Sequence, residues 1–313
     1  MPDAAIPILL NPTAGSGGAR RGRERLEAEL RRAGTAYTLT VTDSEEHLRR
    51  MTRTLAAERG VIAGAGGDST FLIMINEILG AGLRARLGLI GLGSSNDIPR
   101  EFGIETIAKA CLALAGGRVR RIDAGSVRTA ESGVLYFLGQ ANIGLGAVVN
   151  RFVADLARRR PRLARRQTLA GLLGIRRAFR RKDIPIALSI RAGGRCFDGP
   201  LAAAVFANTR YWASGRIIAP DARPDDGLLD ACLIEARSMR RLSAIDGAAK
   251  RGRHSGRRGV TMFQAAEFEV RSERPFMIQT DGETICAVGE PRFFRQAVIR
   301  SVPAALEIFI PPA

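Results

Sequence analysis

Acidic residues stand inside or beside glycine-rich segments at three places in the sequence. They are Asp68 in Gly64-Ala65-Gly66-Gly67-Asp68-Ser69-Thr70, Asp97 in Gly91-Leu92-Gly93-Ser94-Ser95-Asn96-Asp97, and the pair Asp281 and Glu283 flanking Gly282. A further acidic run is Asp225-Asp226-Gly227-Leu228-Leu229-Asp230, and a glycine-rich segment without an acid spans Asn11 to Gly18. Glycine lets backbone approach a phosphate closely, and a helix opening just after it offers free N–H groups and the positive end of its dipole. An acid in such a loop is poorly placed against a bare pyrophosphate, so it implies an intervening cation or a proton to be moved. Transfer of a phosphoryl group needs those parts: charge neutralisation, positioning and a base for the attacking hydroxyl. Taken alone, Asp225-Asp226-Gly227 also reads as an acidic β-turn. Asp281-Gly282-Glu283, between strand-like Phe276–Thr280 and Ile285–Val288, also reads as a hairpin turn.

Two common nucleotide loops are excluded. The three lysines, Lys109, Lys182 and Lys250, do not follow a glycine, so there is no Gly-Lys-Ser/Thr phosphate loop. Gly64-x-Gly66-x-x-Ser69 lacks the third glycine of the dinucleotide fingerprint. Two histidines, His47 and His254, are too few for a His-based zinc site, so a metal would be held by oxygen ligands, favouring Mg²⁺ or Ca²⁺. His254 reads as a structural hydrogen-bonding residue. Cys111, Cys196, Cys232 and Cys286 lie far apart and read as small buried side chains in a reducing cytoplasm.

The elements that must position these residues fall into two halves. Up to about residue 118, short apolar runs alternate with helical patterns. Strands are expected at Ile6–Leu10, Tyr37–Val41, Val61–Ala63 and Leu87–Ile90, and helices at Ala19–Ala33, Glu45–Glu58, Thr70–Leu79 and Ile104–Ala115. This alternation predicts a doubly wound parallel sheet, an α/β domain over residues 1–118 that binds ligand at the carboxyl ends of its strands. Residues 119–313 read mainly as strands: Val119–Val127, Val134–Gly139, Ile184–Arg191, Leu201–Asn208, Leu228–Ile234, Ala266–Val270, Phe276–Thr280 and Ala305–Ile310. Only Val148–Arg181 and Met239–Lys250 look helical, with a break at Pro161. The expectation is a β-sandwich domain whose last strand packs back on the first domain, with the active site in the cleft between them.

Gly66-Gly67-Asp68-Ser69-Thr70 resembles the Gly-Gly-Asp-Gly-Thr motif of the diacylglycerol kinase catalytic-domain superfamily. That group includes bacterial lipid kinases, sphingosine and ceramide kinases and, more distantly, NAD kinases. Asn11-Pro12 with Gly15 is similar to its opening motif, and Leu92-Gly93-Ser94-Ser95-Asn96-Asp97 to its Leu-Gly-Thr-x-Asn-Asp segment. In the second half Ala219-Pro220-Asp221-Ala222, Asp225–Asp230, Gly252-Arg253-His254 and Asp281-Gly282-Glu283 match in family order. The resemblance implies an ATP-dependent lipid kinase acting with Mg²⁺. It implies ATP contacts from Asn11, Thr42, Gly66, Gly67, Asp68, Ser69, Thr70 and Ser94, with Asp68 and Asp97 facing the nucleotide and its metal. Asp123 would join an acidic network reaching into the cleft. Asp226, with main-chain groups of Arg223 and Leu228, resembles a structural Mg²⁺ site. Glu283 would accept the proton, supported by Asp281, with Asp68 as the other candidate base. Three departures stand out: Ser69 for glycine, Leu72 where many members carry Asn or His, and Tyr211-Trp212-Ala213-Ser214-Gly215 where the family is richer in glycine.

The net charge of +17 over 313 residues calls for an anionic partner. With aromatic residues at 5% and no recognition motif, nucleic acid is not expected. No apolar run is long enough to cross a bilayer, and Ile6–Leu10 leads straight into the first glycine turn, reading as a strand rather than a signal peptide. Arg151, Arg158, Arg159, Arg160, Arg162, Arg165, Arg166, Arg176, Arg177, Arg180 and Arg181 cluster with interleaved Leu163, Leu169, Leu172, Leu173, Ile175 and Phe179. That composition suits either docking to an anionic membrane or a solvated helix packed on the β-domain. The resulting expectation is a cytoplasmic, peripherally membrane-associated enzyme that binds ATP and a membrane lipid, in a chain that could form a homodimer. An NAD kinase relative and a non-catalytic nucleotide-binding scaffold are the competing readings.

Overall fold

The structure is a computed structural model and describes residues 5–130, 132–164, 166–287 and 290–312; among the basic residues named above, Arg165 lies outside them. The first half runs β1 (Ile6–Leu10), α1 (Ala14–Arg32), β2 (Tyr37–Val41), α2 (Glu45–Arg59), β3 (Val61–Gly66), α3 (Asp68–Gly80), β4 (Arg86–Gly91), α4 (Asp97–Glu101) and α5 (Ile107–Gly116). The strands pair in parallel in the order β2-β1-β3-β4, as an alternating α/β pattern requires. Ser44 caps α2 by accepting from the His47 N–H, and Thr106 caps α5 through the Lys109 N–H. Both helices stop at a left-handed glycine, Gly60 and Gly117.

The chain continues with β5 (Val119–Thr129), β6 (Gly133–Phe137), β7 (Gln140–Gly144), α6 (Leu145–Arg159), α7 (Pro161–Ala164), α8 (Gln167–Arg180), β8 (Ile186–Ala192), β9 (Arg195–Leu201) and β10 (Ala203–Ala207). Then come β11 (Tyr211–Trp212), β12 (Arg216–Ile217), β13 (Leu229–Ile234), α9 (Met239–Ala249), β14 (Val260–Ala265), β15 (Glu267–Phe276) and β16 (Ile278–Thr280). The last elements are β17 (Glu283–Thr284), β18 (Cys286–Ala287), β19 (Glu290–Pro291) and β20 (Phe294–Phe309). The helical stretch expected from Val148 begins at Leu145 and is three helices, parted at Pro161 and near Arg166. Helix α4 and strands β7, β9, β11, β12, β14, β17 and β19 lie outside the expected elements, and β20 begins eleven residues before the expected Ala305.

Two large sheets result. One is β14-β13-β10-β7-β16-β17. Its strands alternate by face: Ala204, Phe206, Ala231 and Leu233 join the main core, while Ala203, Val205, Cys232 and Ile234 join a second core. That second core also takes in Ala178, Leu242 and Ile245. The other sheet is β2-β1-β3-β4-β20-β15-β8-β9, with β5 on β20 and β6 on β5. Strand β20 pairs in parallel with β4 at Glu307↔Arg86 and antiparallel with β5 and β15, so the parallel and antiparallel halves share one sheet. The register of β20 against β5 shifts between Val302 and Leu306, where Ala304 has φ +52°. The expected boundary at 118/119 thus falls just before a strand hydrogen-bonded to β20. Among the described residues, no helix is long and apolar enough to cross a membrane.

Three cysteines were described: Cys111 and Cys232 are buried as expected, while Cys196, on edge strand β9, is exposed. The side chain of Cys286 lies outside the described ones.

Candidate active site

The glycine turns after β1, β3 and β4 converge. A Cβ on Gly93 would sit 2.6 Å from the Gly67 Cα, and one on Gly15, which has φ +58°, would sit 2.5 Å from the Leu92 carbonyl oxygen. Only glycine permits this contact between turns. Helices α1 and α3 open from these turns without a side-chain cap, with the Ala14 N–H turned to the Asn11 carbonyl and the Thr70 and Phe71 N–H groups to the Gly67 carbonyl. The Asn11 side chain donates to Thr70 Oγ1 at 3.0 Å and accepts from the Thr13 N–H and hydroxyl, tying the first turn to the start of α3. Ser69 is half-buried on the opening turn of α3, and Ser94 is exposed on the turn after β4. Thr42 is buried and its hydroxyl donates back to the Leu10 carbonyl at 3.2 Å, so its visible role is to hold β1 beside the chain leaving β2.

Asp68 stands at the start of α3 and accepts from the Asp97 and Ile98 N–H groups at 3.1 and 3.3 Å. Burial, joined by the Asp97 charge, pushes its pKa up to about 6. Asp97 is buried, and its two oxygens accept from the Ser214 and Gly215 N–H groups, both at 2.8 Å. Through these bonds it fixes the β11–β12 turn, where Ala213 and Ser214 both have positive φ. The same turn is held by Ser95 and Ser214 hydroxyls 2.9 Å apart, and the chain just before it by Arg210, paired with Glu101 at 2.9 Å. The segment Tyr211–Gly215 is therefore a latch between the halves, and sequence spacing carried no sign of its partners.

The second half contributes the β16–β17 hairpin. Asp281, at φ +44°, accepts from the Leu138, Gly139 and Gln140 N–H groups, all at 2.8 Å. Those bonds favour the carboxylate, yet burial outweighs them and pushes the pKa up to about 7, with the Asp68 charge adding to the rise. Asp281 is thereby a brace for the hairpin, which the Asn150 side chain also grips through the Gly282 carbonyl. Glu283 follows at the rim, its pKa raised by desolvation and then by Glu45 at the start of α2. Glu45 was not anticipated; no motif contains it. Beside the hairpin, buried Asn142 donates to Gln279. Asn142 Oδ1, Gln140 Oε1 and Asn208 Oδ1 have no protein partner. A polar Gln140-Ala141-Asn142 inside an otherwise apolar run was the sequence signal for this row.

The remaining expected residues sit elsewhere. The Asp123 carboxylate accepts from the Gly227 and Ala304 N–H groups, both at 2.7 Å, pinning the 223–228 loop to the β20 irregularity. In that loop Asp226 is exposed and its Oδ1 accepts from the Leu228 N–H at 3.0 Å, while Arg223 is exposed. Asp225 pairs with Arg120. Asp230 has its pKa raised by burial and by the charges of Asp226 and Asp221, so three carboxylates crowd one another here. Among the described residues no group of three or more His, Cys, Asp or Glu side chains is spaced to hold a metal. Asp226 with main-chain and water oxygens still matches how Mg²⁺ is usually held, by one or two carboxylates and several waters. His254 is fully buried, its Nε2 3.0 Å from the Ile218 carbonyl, the structural place expected for it. Leu72 is packed in the core, and Asn76 donates to the Tyr136 carbonyl and accepts from its N–H.

Comparison with known proteins shows the family. Residues 5–127 match the model of the diacylglycerol kinase catalytic domain, and residues 139–310 that of the YegS C-terminal NAD kinase beta sandwich-like domain. A Mycobacterium tuberculosis protein named diacylglycerol kinase is 27% identical, over 98% of this chain and 95% of its own. A Pseudomonas aeruginosa protein named "Probable lipid kinase YegS-like" is 30% identical, over 69% of this chain and 70% of its own. The crystal structure of a diacylglycerol kinase from Bacillus anthracis superposes with a TM-score of 0.70 at 16% identity, over 98% of this chain and 97% of that one, a likeness of fold. With both halves of the chain matched in order, the chain is a member of the diacylglycerol kinase family and a lipid kinase.

Proposed function

We propose that the enzyme transfers the γ-phosphoryl group of ATP to the hydroxyl of a membrane lipid, diacylglycerol or a related acceptor. The observation that carries this reading is the meeting of the uncapped α3 start, bearing Asp68, with the braced Asp281–Glu283 hairpin, near enough for the Asp68 charge to raise the Asp281 pKa. The Gly66–Thr70 loop, with Asn11 and Ser94, holds the phosphates. Glu283 takes the proton of the attacking hydroxyl, and Asp281 fixes the hairpin that carries it. Mg²⁺ bound with the nucleotide would neutralise phosphate charge, and Asp68 is the acid placed to face it. The test is a labelled-ATP assay against diacylglycerol, phosphatidylglycerol, a sphingoid base and NAD. Label in a lipid is expected; label in NAD alone would overturn the reading.

Glu45 supplies a pH prediction. Desolvation, and after it the charge of Glu45, raises the Glu283 pKa, so the base is deprotonated only above the ordinary glutamate range. The rate should rise with pH through that raised value. Glu45→Gln removes the repulsion, so the rising limb of kcat should move to lower pH; an unmoved limb separates Glu45 from the base.

The 223–228 loop is proposed to hold a structural Mg²⁺ through Asp226 and the main chain of Arg223 and Leu228, with Asp221 and Asp230 adding negative charge. Mg²⁺ should then raise the melting temperature of the wild-type protein, and Asp226→Ala should cancel that rise. Equal Mg²⁺ response in both proteins would place the ion elsewhere.

The arginine-rich segment resolves into two faces. Ile175 and Phe179 pack on the second core, whereas Leu169, Leu172 and Leu173 are 38%, 51% and 37% exposed, close to exposed Arg166, Arg176, Arg177 and Arg180. Arg151 and Arg158 pair with Asp155 instead. We assign the outer face of α8 to an anionic membrane, each basic side chain adding about 1 kcal/mol near the surface. Replacing Arg176, Arg177, Arg180 and Arg181 with Gln should weaken binding to anionic vesicles and raise the KM for lipid but not for ATP. Vesicle binding indifferent to salt and to these changes would exclude α8.

A further inference from the structure

A separate basic cavity lies on α9 and the loop behind it, where the kinase reading assigns nothing. Residues 235–259 carry Arg237, Arg240, Arg241, Lys250, Arg251, Arg253, Arg257 and Arg258 against two acids, Glu235 and Asp246. Asp246 is already engaged by Arg216 at 2.6 Å and Lys250 at 3.9 Å. Two adjoining cavities of about 350 and 310 Å³ share Ala244 and Arg257. Both are open to solvent; Ala244, Gly247 and Ala248 line the larger, and Arg241, Arg251, Arg253, Arg257 and Arg258 line the pair.

Three features distinguish this place from a solvated arginine face. Two of the five guanidiniums, those of Arg241 and Arg257, are held by carbonyls rather than by carboxylates, and Arg251, Arg253 and Arg258 are exposed beside them. Arg241 donates to the Glu235 and Arg258 carbonyls at 3.1 and 2.7 Å, and Arg257 to the Arg253 carbonyl at 3.1 Å. Among the described residues, none of the five forms an ion pair, in a protein where many arginines do. The loop is also shaped to bring them together. Gly252, Gly256 and Gly259 all have positive φ, and a Cβ on Gly259 would lie 2.6 Å from Arg241 Nη2. Finally, Gly247 interrupts a helix, where glycine is unfavourable by roughly 1 kcal/mol relative to alanine, and open space lies above it. The last carbonyls of α9 do not counter the charge. Those of Ala248 and Ala249 are taken by the N–H groups of Arg251, Gly252 and Arg253.

We propose that this cavity binds a phosphate monoester, whether on a lipid headgroup or on a small soluble molecule. Unpaired guanidiniums repel one another in the empty state, and a dianionic monoester with three acceptor oxygens relieves that and suits their planar donor forks. The cavity lies by the β14–β13 edge of the six-stranded sheet, opposite β16–β17, so it is distinct from the transfer site. The proposal goes beyond the kinase reading and stands without it.

The experiment measures binding by the full chain in two arms. One is calorimetric titration with glycerol 3-phosphate at fixed ionic strength. The other is co-sedimentation with phosphatidylcholine vesicles carrying phosphatidic acid, a monoester, or phosphatidylglycerol, a diester, at equal surface charge. Three proteins are compared: wild type, Arg253→Gln/Arg257→Gln, and Gly247→Leu, which fills the cavity, keeps every charge and favours the helix. Monoester binding is expected in at least one arm, and which arm identifies the source. It should weaken about tenfold or more in both variants, since each lost charge-assisted contact is worth about that factor. The remainder, at the nucleotide site, should be unchanged. No monoester binding sensitive to the variants, equal preference for the diester, or loss in the arginine variant with full retention in Gly247→Leu would each overturn the proposal, the last by leaving only a diffuse basic face.

Discussion

Glu283→Gln is expected to lower kcat by about 10²–10⁴-fold, the usual loss when a general base is removed, with the KM for ATP nearly unchanged. The amide keeps the shape of the side chain and loses only the ability to take a proton. The hairpin should survive, because its bracing falls to Asp281, whose three amide bonds the substitution does not touch. Steady-state kinetics with a short-chain lipid acceptor make the measurement. A variant near wild-type kcat would remove Glu283 from the role and pass it to Asp68, whose carboxyl burial raises to about 6.

The second large effect is expected at the contact between glycine turns. Gly93→Val places a Cβ 2.6 Å from the Gly67 Cα, so the turns after β3 and β4 must part. Displacing a phosphate-holding loop by an ångström costs about 10²-fold in rate, and ATP affinity should fall with it. Gly67→Val should act in the same direction but through a milder clash, 3.3 Å from the Gly93 Cα, together with its own obstruction of phosphate. Gly82→Ala is a control, since it has open space around it and lies far from these turns, although its φ of +65° adds local strain. Nucleotide titration of the purified proteins decides; retained ATP affinity in both valine variants would place the nucleotide elsewhere.

The first half was legible because its signals are local. Each strand hands over to a glycine or a cap within a few residues, so the strands and long helices from β1 to α5 emerge with only their ends displaced, and the one-turn helix α4 alone is missed. The second half hid strands that break local rules. Edge strand β9 contains Gly199-Pro200, and β7 opens with a polar Gln140 and Asn142. Pro303 lacks an N–H, yet β20 runs through it because the irregular register leaves no partner waiting at that position. In the candidate site, the motif residues were visible as types but not by what they hold. Asp97 and Asp123 find their amide partners about a hundred residues away or more, at Ser214 and Gly227, and no spacing rule reports such a pairing. Conversely Glu45, Glu101 and Arg210 carry no motif and surface only when the halves are seen together.

Strand β20 has a consequence for how the protein is made. The parallel sheet β2-β1-β3-β4 emerges early from the ribosome, but the neighbour of β4 includes Glu307 and Ile308, made more than two hundred residues later. Until then β4 presents an open edge of unsatisfied N–H and C=O groups, the kind of surface that invites pairing with another nascent chain. Contacts so distant in sequence also slow folding. Ribosome-bound chains halted before Phe294 should therefore remain protease-sensitive in the α/β half and depend on a chaperone, and protection should arrive together with β20.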